Sequence, residues 1–307
     1  MFEVSYLYLW VKILDDFNAI NHDTTSEDET TVHWQETEVV TFGSGNPELS
    51  IVLSVLIALV CLTGNSAVLF FFTRSKSIAK TRVFELAFAV LDIFVCLVLL
   101  PVFVLSPMQF IKNNNSAKFV LLIAEAIVGP IAFNGYYSLL VCVAIDRFCA
   151  VFYPLQFKII RNAYINKMLL SVVSFTILSA TAGAMGVTIF SLYIINLTVM
   201  FIFSVIAILV IVVLFTAIVV RIRRNSAQRA ALGVEEEDGQ HLRAVKMFCL
   251  ITAFYLLGYV PFGFSKSGLV AREFEFLYFV NHLCNPFIYF IFNTPFRGQV
   301  INLFSMC

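Results

Sequence analysis

The sequence predicts an all-α membrane protein folded as a seven-transmembrane helix bundle. The 307-residue chain is 60% hydrophobic and only 13% charged, whereas soluble domains carry about 25% charged residues. Seven stretches are apolar over about 20 residues or more, the length that crosses a bilayer as a helix. Lys and Arg are concentrated on one side of these stretches. A soluble fold could not bury this much apolar surface, so we expect the lipid bilayer to surround the chain.

Hydropathy sets the position of each predicted span. In chain order the spans are 49–73, 82–108, 118–149, 164–188, 193–222, 243–265 and 274–293. The fourth and fifth spans nearly fuse, and we expect a very short loop around Ser191–Asn196 to separate them.

The basic residues predict the orientation. If the N-terminus is outside, fifteen of the twenty Lys and Arg residues lie in cytoplasmic segments. Because cytoplasmic loops carry the excess of positive charge, we expect a multi-pass protein of the plasma membrane with its N-terminus outside.

The ends of the chain differ from the 49–293 bundle. Residues 1–48 hold ten of the twenty acidic residues and predict a flexible, acidic extracellular tail. Residues 294–307 predict an amphipathic eighth helix lying in the membrane interface, with a short cytoplasmic C-terminus. Cys307 is a candidate lipidation site. Asn114, in the first extracellular loop, is a candidate glycosylation site.

Asp92 lies in the middle of the second apolar stretch. A charge at that depth costs about 2.5–3.5 kcal/mol on insertion scales. It is either a structural carboxylate held by neighbouring helices or an ion or proton site that changes with conformation.

The seventh helix carries Asn281, Asn285 and Tyr289 on one face, because they are spaced four residues apart. Pro286 removes a backbone N–H and frees a carbonyl one turn earlier, and we expect Asn285 to satisfy it. A proline kink with local polar repair is the simpler interpretation. Together with Asn65 and Asp92, these asparagines predict one buried polar cluster able to hold waters or a cation.

Asp146 and Arg147 end the third span at its cytoplasmic edge. An Arg cannot lose its proton, so it must be paired or reach water. An Arg that exchanges partners would form a two-state element, whereas an Arg that only extends to the interface would have no such role.

These residues together resemble the rhodopsin-like class of G-protein-coupled receptors over about 49–304. The motifs that carry the resemblance are Gly64-Asn65, Ala89-Val90-Leu91-Asp92, Asp146-Arg147-Phe148, Pro261 and Asn285-Pro286-Phe287-Ile288-Tyr289. The resemblance implies an extracellular ligand, a heterotrimeric G protein as intracellular partner, and an outward swing of the sixth helix. It implies that Arg147 faces the G protein and that Asp92, Asn281 and Asn285, with Asn65, form the sodium-site region.

The chain departs from the family at several positions. Tyr259 stands in place of the sixth-helix Trp, two residues before Pro261. Tyr136 replaces the small polar residue of the sodium site, and His241 stands where an acid often holds the third-helix Arg. Leu122 stands where the family has the third-helix Cys, so the usual extracellular disulfide is absent.

The ligand is predicted only coarsely. Gly129 stands where amine receptors have an Asp, and Glu125 is the remaining acid of the outer third helix. The expected pocket wall is aromatic and consists of Phe133, Tyr259, Phe262, Phe276 and Phe279. We expect a hydrophobic small molecule, a lipid or a peptide.

Other functional classes remain alternatives. A receptor-like protein that has lost signalling is one, and a transporter using Asp92 is another, although no repeat symmetry is visible. An enzyme would need clustered His, Asp or Cys residues, yet His282 stands alone in the seventh helix. We therefore predict no enzymatic activity, cofactor, metal centre or nucleic-acid partner.

Overall fold

The computed structural model describes residues 47–74, 82–105, 115–231, 239–266 and 275–305. Every regular element within these ranges is a helix. The acidic tail, Asn114 and Cys307 lie outside the described residues.

The described ranges contain seven long helices and one short one. They are α1 (Pro47–Thr73), α2 (Val83–Phe94, continued by a π-helical turn at Val95–Leu99 and by Leu100–Leu105), α3 (Asn115–Phe152), α4 (Pro154–Thr188), α5 (Phe190–Ala231), α6 (Gly239–Lys266), α7 (Glu275–Phe292) and α8 (Thr294–Ser305).

The predicted seven-helix bundle with a short eighth helix is confirmed. Within the described chain, α1 to α5 each contain an apolar stretch long enough to cross a bilayer, and α6 and α7 contain shorter ones, Val245–Tyr259 and Leu277–Phe292. Large apolar side chains such as Leu178 and Val213 are exposed on the outside of the bundle, where lipid would cover them.

Two boundary predictions were wrong. α4 begins at Pro154, ten residues before the predicted position, because proline at the first helical position is already set for a helix. The break between α4 and α5 is the single extended residue Ile189, and Ser191–Asn196 belong to α5. Hydropathy detects where a helix leaves the apolar layer, and a helix can continue beyond that point.

α3 is the central helix and contacts α2, α4, α5 and α6. α1 packs closely on α7, since a Cβ on Gly64 would lie 2.9 Å from the Pro286 ring. At the α3–α4 contact, a Cβ on Gly183 would collide with the carbonyl of Ala126. These glycines allow backbones to approach, as small residues do in membrane helix interfaces.

α8 is fixed to the C-terminal end of α1. The Asn293 side chain accepts a hydrogen bond from the Phe296 amide at 3.1 Å and so caps the helix. The Phe296 ring packs edge-on against Phe72, with centroids 5.4 Å apart. This contact sets the direction in which α8 leaves the bundle.

Candidate functional site

A buried carboxylate joins α2 to α7 in the middle of the bundle. The Asp92 side chain is fully buried. Its Oδ1 lies 2.8 Å from His282 Nδ1, and its Oδ2 accepts a hydrogen bond of 2.8 Å from Asn285 Nδ2. The π-helical turn of α2 begins at Val95, directly after this site. Such turns occur frequently at functional sites.

Tyr136 adds α3 to this group. Its hydroxyl lies 2.7 Å from the same His282 Nδ1. A ring nitrogen has either one hydrogen or one lone pair, so Nδ1 cannot make two full hydrogen bonds at once. The Asp92–His282–Tyr136 triad therefore shares its hydrogens, and a shift of any one helix changes how they are shared.

His282, which stands alone in the sequence of the seventh helix, has partners on two other helices. His282 contacts both Asp92 and Tyr136 and is fully buried. One available indication was its spacing, because His282 precedes Asn285 by three residues and so shares the same helical face. The partners on α2 and α3 could not be read from that spacing.

The prediction that Asn285 repairs the proline break in α7 was also wrong. Pro286 removes the N–H that would bond to the carbonyl of His282, four residues earlier. Asn65 of α1 donates to that carbonyl at 3.3 Å, and the Cys61 thiol lies 3.7 Å from it. Asn285 binds Asp92 instead. The break in α7 is therefore repaired by another helix.

The four predicted polar residues are buried but do not all meet. Asn65 reaches α7 through the His282 carbonyl, and Asn285 reaches Asp92. Asn281 lies against α6, because its Cβ is 3.3 Å from where a Cβ on Gly258 would be. No described hydrogen bond joins Asn281 to Asp92.

The sodium site implied by the family resemblance does not fit these residues. Hard cations are held by several oxygen atoms, yet both Asp92 oxygens are already engaged, one of them by an imidazole nitrogen. The Tyr136 ring occupies the adjacent space and packs 5.7 Å from Phe88 and 5.2 Å from Tyr255, between ring centroids. The imidazole, the Asn285 amide and the phenol ring therefore crowd the carboxylate and leave little room for sodium beside it.

A cluster of aromatic rings lies directly against the triad. Tyr255 and Tyr259 of α6 stack with their centroids 3.7 Å apart, and Tyr255 also stacks on Tyr136. Phe133 of α3 packs 5.1 Å from Tyr259. These contacts form a continuous path of rings from Phe133, in the middle of α3, to His282, which contacts the buried carboxylate.

The predicted pocket residues are only partly brought together. Phe133 and Tyr259 are in contact, and Phe279 is buried beside Tyr278. Glu125 is exposed. A Cβ on Gly129 would meet no described atom within 4 Å, so there is open space beside it. The side chains of Pro261, Phe262 and Phe276 lie outside the part of the chain that the structure describes.

The C-terminal end of α3 holds the predicted Asp–Arg pair. Arg147 lies 2.6 Å from the buried Asp146 carboxylate, and Arg161 of α4 lies 3.7 Å from its other oxygen. The Arg147 guanidinium also lies over the Phe248 ring of α6, 5.4 Å from its centroid. The side chain of His241 is outside the described residues, so Phe248 is the described contact of Arg147 with α6.

Tyr289 lies at the same end of the bundle. It is fully buried, and its ring centroid is 6.3 Å from that of Phe72 on α1. Close by, Arg243 of α6 donates to the Thr294 hydroxyl of α8 at 3.4 Å. The N-terminal part of α6 is thus connected to α3 by Phe248 and to α8 by Arg243.

Replacement of Asn65 by Ala should destabilise the bundle. A buried carbonyl left without a donor costs about 1–3 kcal/mol, so we expect a lower melting temperature in detergent. Ser66→Ala is the matched control, since Ser66 is the next residue on α1 and is exposed. Equal melting temperatures for the two variants would contradict the assignment of Asn65 to the carbonyl freed by Pro286.

Sodium should have no specific effect on this protein. The melting temperature should be the same when K⁺ is replaced by Na⁺ at constant ionic strength, because His282 and Asn285 each engage one Asp92 oxygen and the Tyr136 ring fills the adjacent space. Choline chloride serves as a second control for ionic strength. A saturable stabilisation by Na⁺ alone would show that the site opens to cations.

Comparison with known proteins supports the fold. No protein-family model matches the chain, and no curated protein matches it. The crystal structure of squid rhodopsin is similar over 92% of this chain and 91% of that chain, with a TM-score of 0.65 and 17% sequence identity. At this identity the likeness concerns the fold. The chain therefore has the seven-helix fold of the rhodopsin-like G-protein-coupled receptors.

Proposed function

We propose that this chain is a receptor of the plasma membrane that binds an extracellular ligand and activates a heterotrimeric G protein. The observation that carries the proposal is the position of Arg147, held between Asp146 of its own helix and Phe248 of α6. The distribution of Lys and Arg supports an orientation with the N-terminus outside and Arg147 at the cytoplasmic side.

The contact between Arg147 and Phe248 sets how firmly α6 is held. A cation–π contact contributes about 0.5–2 kcal/mol, depending on its exposure. An outward movement of α6 removes this contact and frees the guanidinium to bind a partner at the cytoplasmic surface. A ligand that binds the open state only modestly better than the closed state can overcome a stabilisation of this size.

The aromatic path supplies a connection from the ligand side to the buried carboxylate. A ligand that displaces Phe133 or Tyr259 would disturb the Tyr255–Tyr259 stack and, through Tyr136, the hydrogen bonds of His282 and Asp92. Asp92 holds Asn285, which directly precedes the break at Pro286. Rearrangement of the triad would therefore change the bend of α7 and the environment of Tyr289.

The ligand that suits this site is largely apolar. Phe133, Tyr259 and Phe279 supply aromatic surface, and open space lies beside Gly129. Pockets of this composition bind hydrophobic molecules with few polar contacts. We propose a hydrophobic small molecule, a lipid or a peptide, with Phe262 and Phe276 as further wall residues and Glu125 as a partner for a cationic group.

Replacement of Arg147 by Ala should abolish coupling to the G protein. We expect recruitment of a promiscuous G protein in cells to fall to the level of mock-transfected cells, because the cation that would contact the partner is gone. Arg74→Ala is the control, as Arg74 is an exposed cation at the end of α1 and should recruit like the wild type. Equal recruitment by wild type and Arg147→Ala would favour a receptor-like protein without signalling.

Replacement of Phe248 by Leu should raise signalling in the absence of ligand. The substitution keeps an apolar side chain but removes the ring, and the loss of a cation–π contact corresponds to about a two- to thirtyfold higher basal second-messenger level. Phe254→Leu, on the same helix but partly exposed, should leave the basal level unchanged. An unchanged or lower level in Phe248→Leu at equal surface expression would contradict this role of the contact.

A further inference from the structure

A groove of about 460 Å³ lies between the cytoplasmic halves of α5 and α6. Its wall is almost entirely apolar and includes Val219 and Ile222 of α5 together with Leu250 and Ala253 of α6. Two cations, Arg223 of α5 and Lys246 of α6, complete the lining. None of these residues belongs to the triad or to the Arg147 contacts.

The two cations lie at the same end of the groove. α5 runs towards the cytoplasm, so Arg223 is one turn beyond Val219, whereas α6 runs away from it, so Lys246 precedes Leu250 and Ala253. Ala253 is seven residues from Lys246, which corresponds to about 10 Å along the helix axis. The groove is therefore charged at the membrane surface and apolar for about two turns into the bilayer.

This arrangement differs from cations that only extend to the interface. Such side chains act singly, whereas Arg223 and Lys246 come from two antiparallel helices and line one concave surface. Both side chains are exposed, so they can reach an anion. An occupant must combine a negative group with an apolar part that fills the space beneath it.

We infer that the groove binds an anionic phospholipid of the cytoplasmic leaflet. The phosphate of the headgroup would lie between Arg223 and Lys246, and an acyl chain would cover Leu250 and Ala253. Cytoplasmic leaflets are rich in anionic lipids that are attracted to basic residues at the surface. The inference does not depend on signalling, because a chain that couples to no G protein would still bind the lipid.

Lipid binding to the purified full-length chain in detergent tests this inference. The probe is fluorescent phosphatidylserine, competed with unlabelled phosphatidylserine or with phosphatidylcholine of the same acyl chains. We expect the double variant Arg223→Gln/Lys246→Gln to bind phosphatidylserine about tenfold or more weakly, since each surface cation contributes to the attraction. The control Arg74→Gln/Lys167→Gln, with two exposed cations of other helices, should bind like the wild type.

A second variant tests the apolar part of the groove. Ala253→Phe keeps both cations and fills the space beneath them, so it should also weaken phosphatidylserine binding at an unchanged melting temperature. Soluble glycerophosphoserine, which has the headgroup without acyl chains, should compete poorly. The inference is overturned if both double variants weaken binding equally, if Ala253→Phe binds like the wild type, or if glycerophosphoserine competes as well as the lipid.

Discussion

The membrane interior offers no water to a carboxylate or to an unpaired backbone carbonyl. This chain has one buried carboxylate and one carbonyl freed by a proline at the same depth. Asp92 and the carbonyl freed by Pro286 must both be satisfied by other helices. Asn65, His282 and Asn285 meet this requirement and tie α1 and α2 to α7, while Tyr136 adds α3. The relative positions of these four helices follow from a few hydrogen bonds.

The same contacts create a competition at the centre of the bundle. His282 Nδ1 is close to two oxygens but can fully serve only one, so the Asp92 carboxylate and the Tyr136 phenol compete for it. Tyr136 packs closely on Tyr255, and this contact couples the position of α6 to the hydrogen bonds of His282. The His282 imidazole contacts the Asp92 carboxylate directly, and the Tyr136 phenol contacts that imidazole.

The sequence was sufficient for the fold and for the positions of Asp92, Arg147 and Asn285 on their helices, because apolar length and helical spacing are local properties. The sequence was insufficient to predict which residues these side chains contact. Asn285 was expected to repair the break at Pro286, but Asn65 does so, and the partners of His282 were not predicted. Which helix supplies a partner depends on packing between segments far apart in sequence. The cation–π contact of Phe248 was missed for the same reason.

We propose that the contact of Phe248 with Arg147 holds the N-terminal end of α6 in place and that α6 moves away when a G protein binds. Spin labels introduced as unnatural amino acids at Lys246 of α6 and Lys167 of α4 would report this distance by pulsed electron paramagnetic resonance. A partner that binds only the open state shifts the population towards it. We predict that the distance lengthens by several ångströms when a panel of purified G proteins is added. An unchanged distance with every member of the panel would contradict the account.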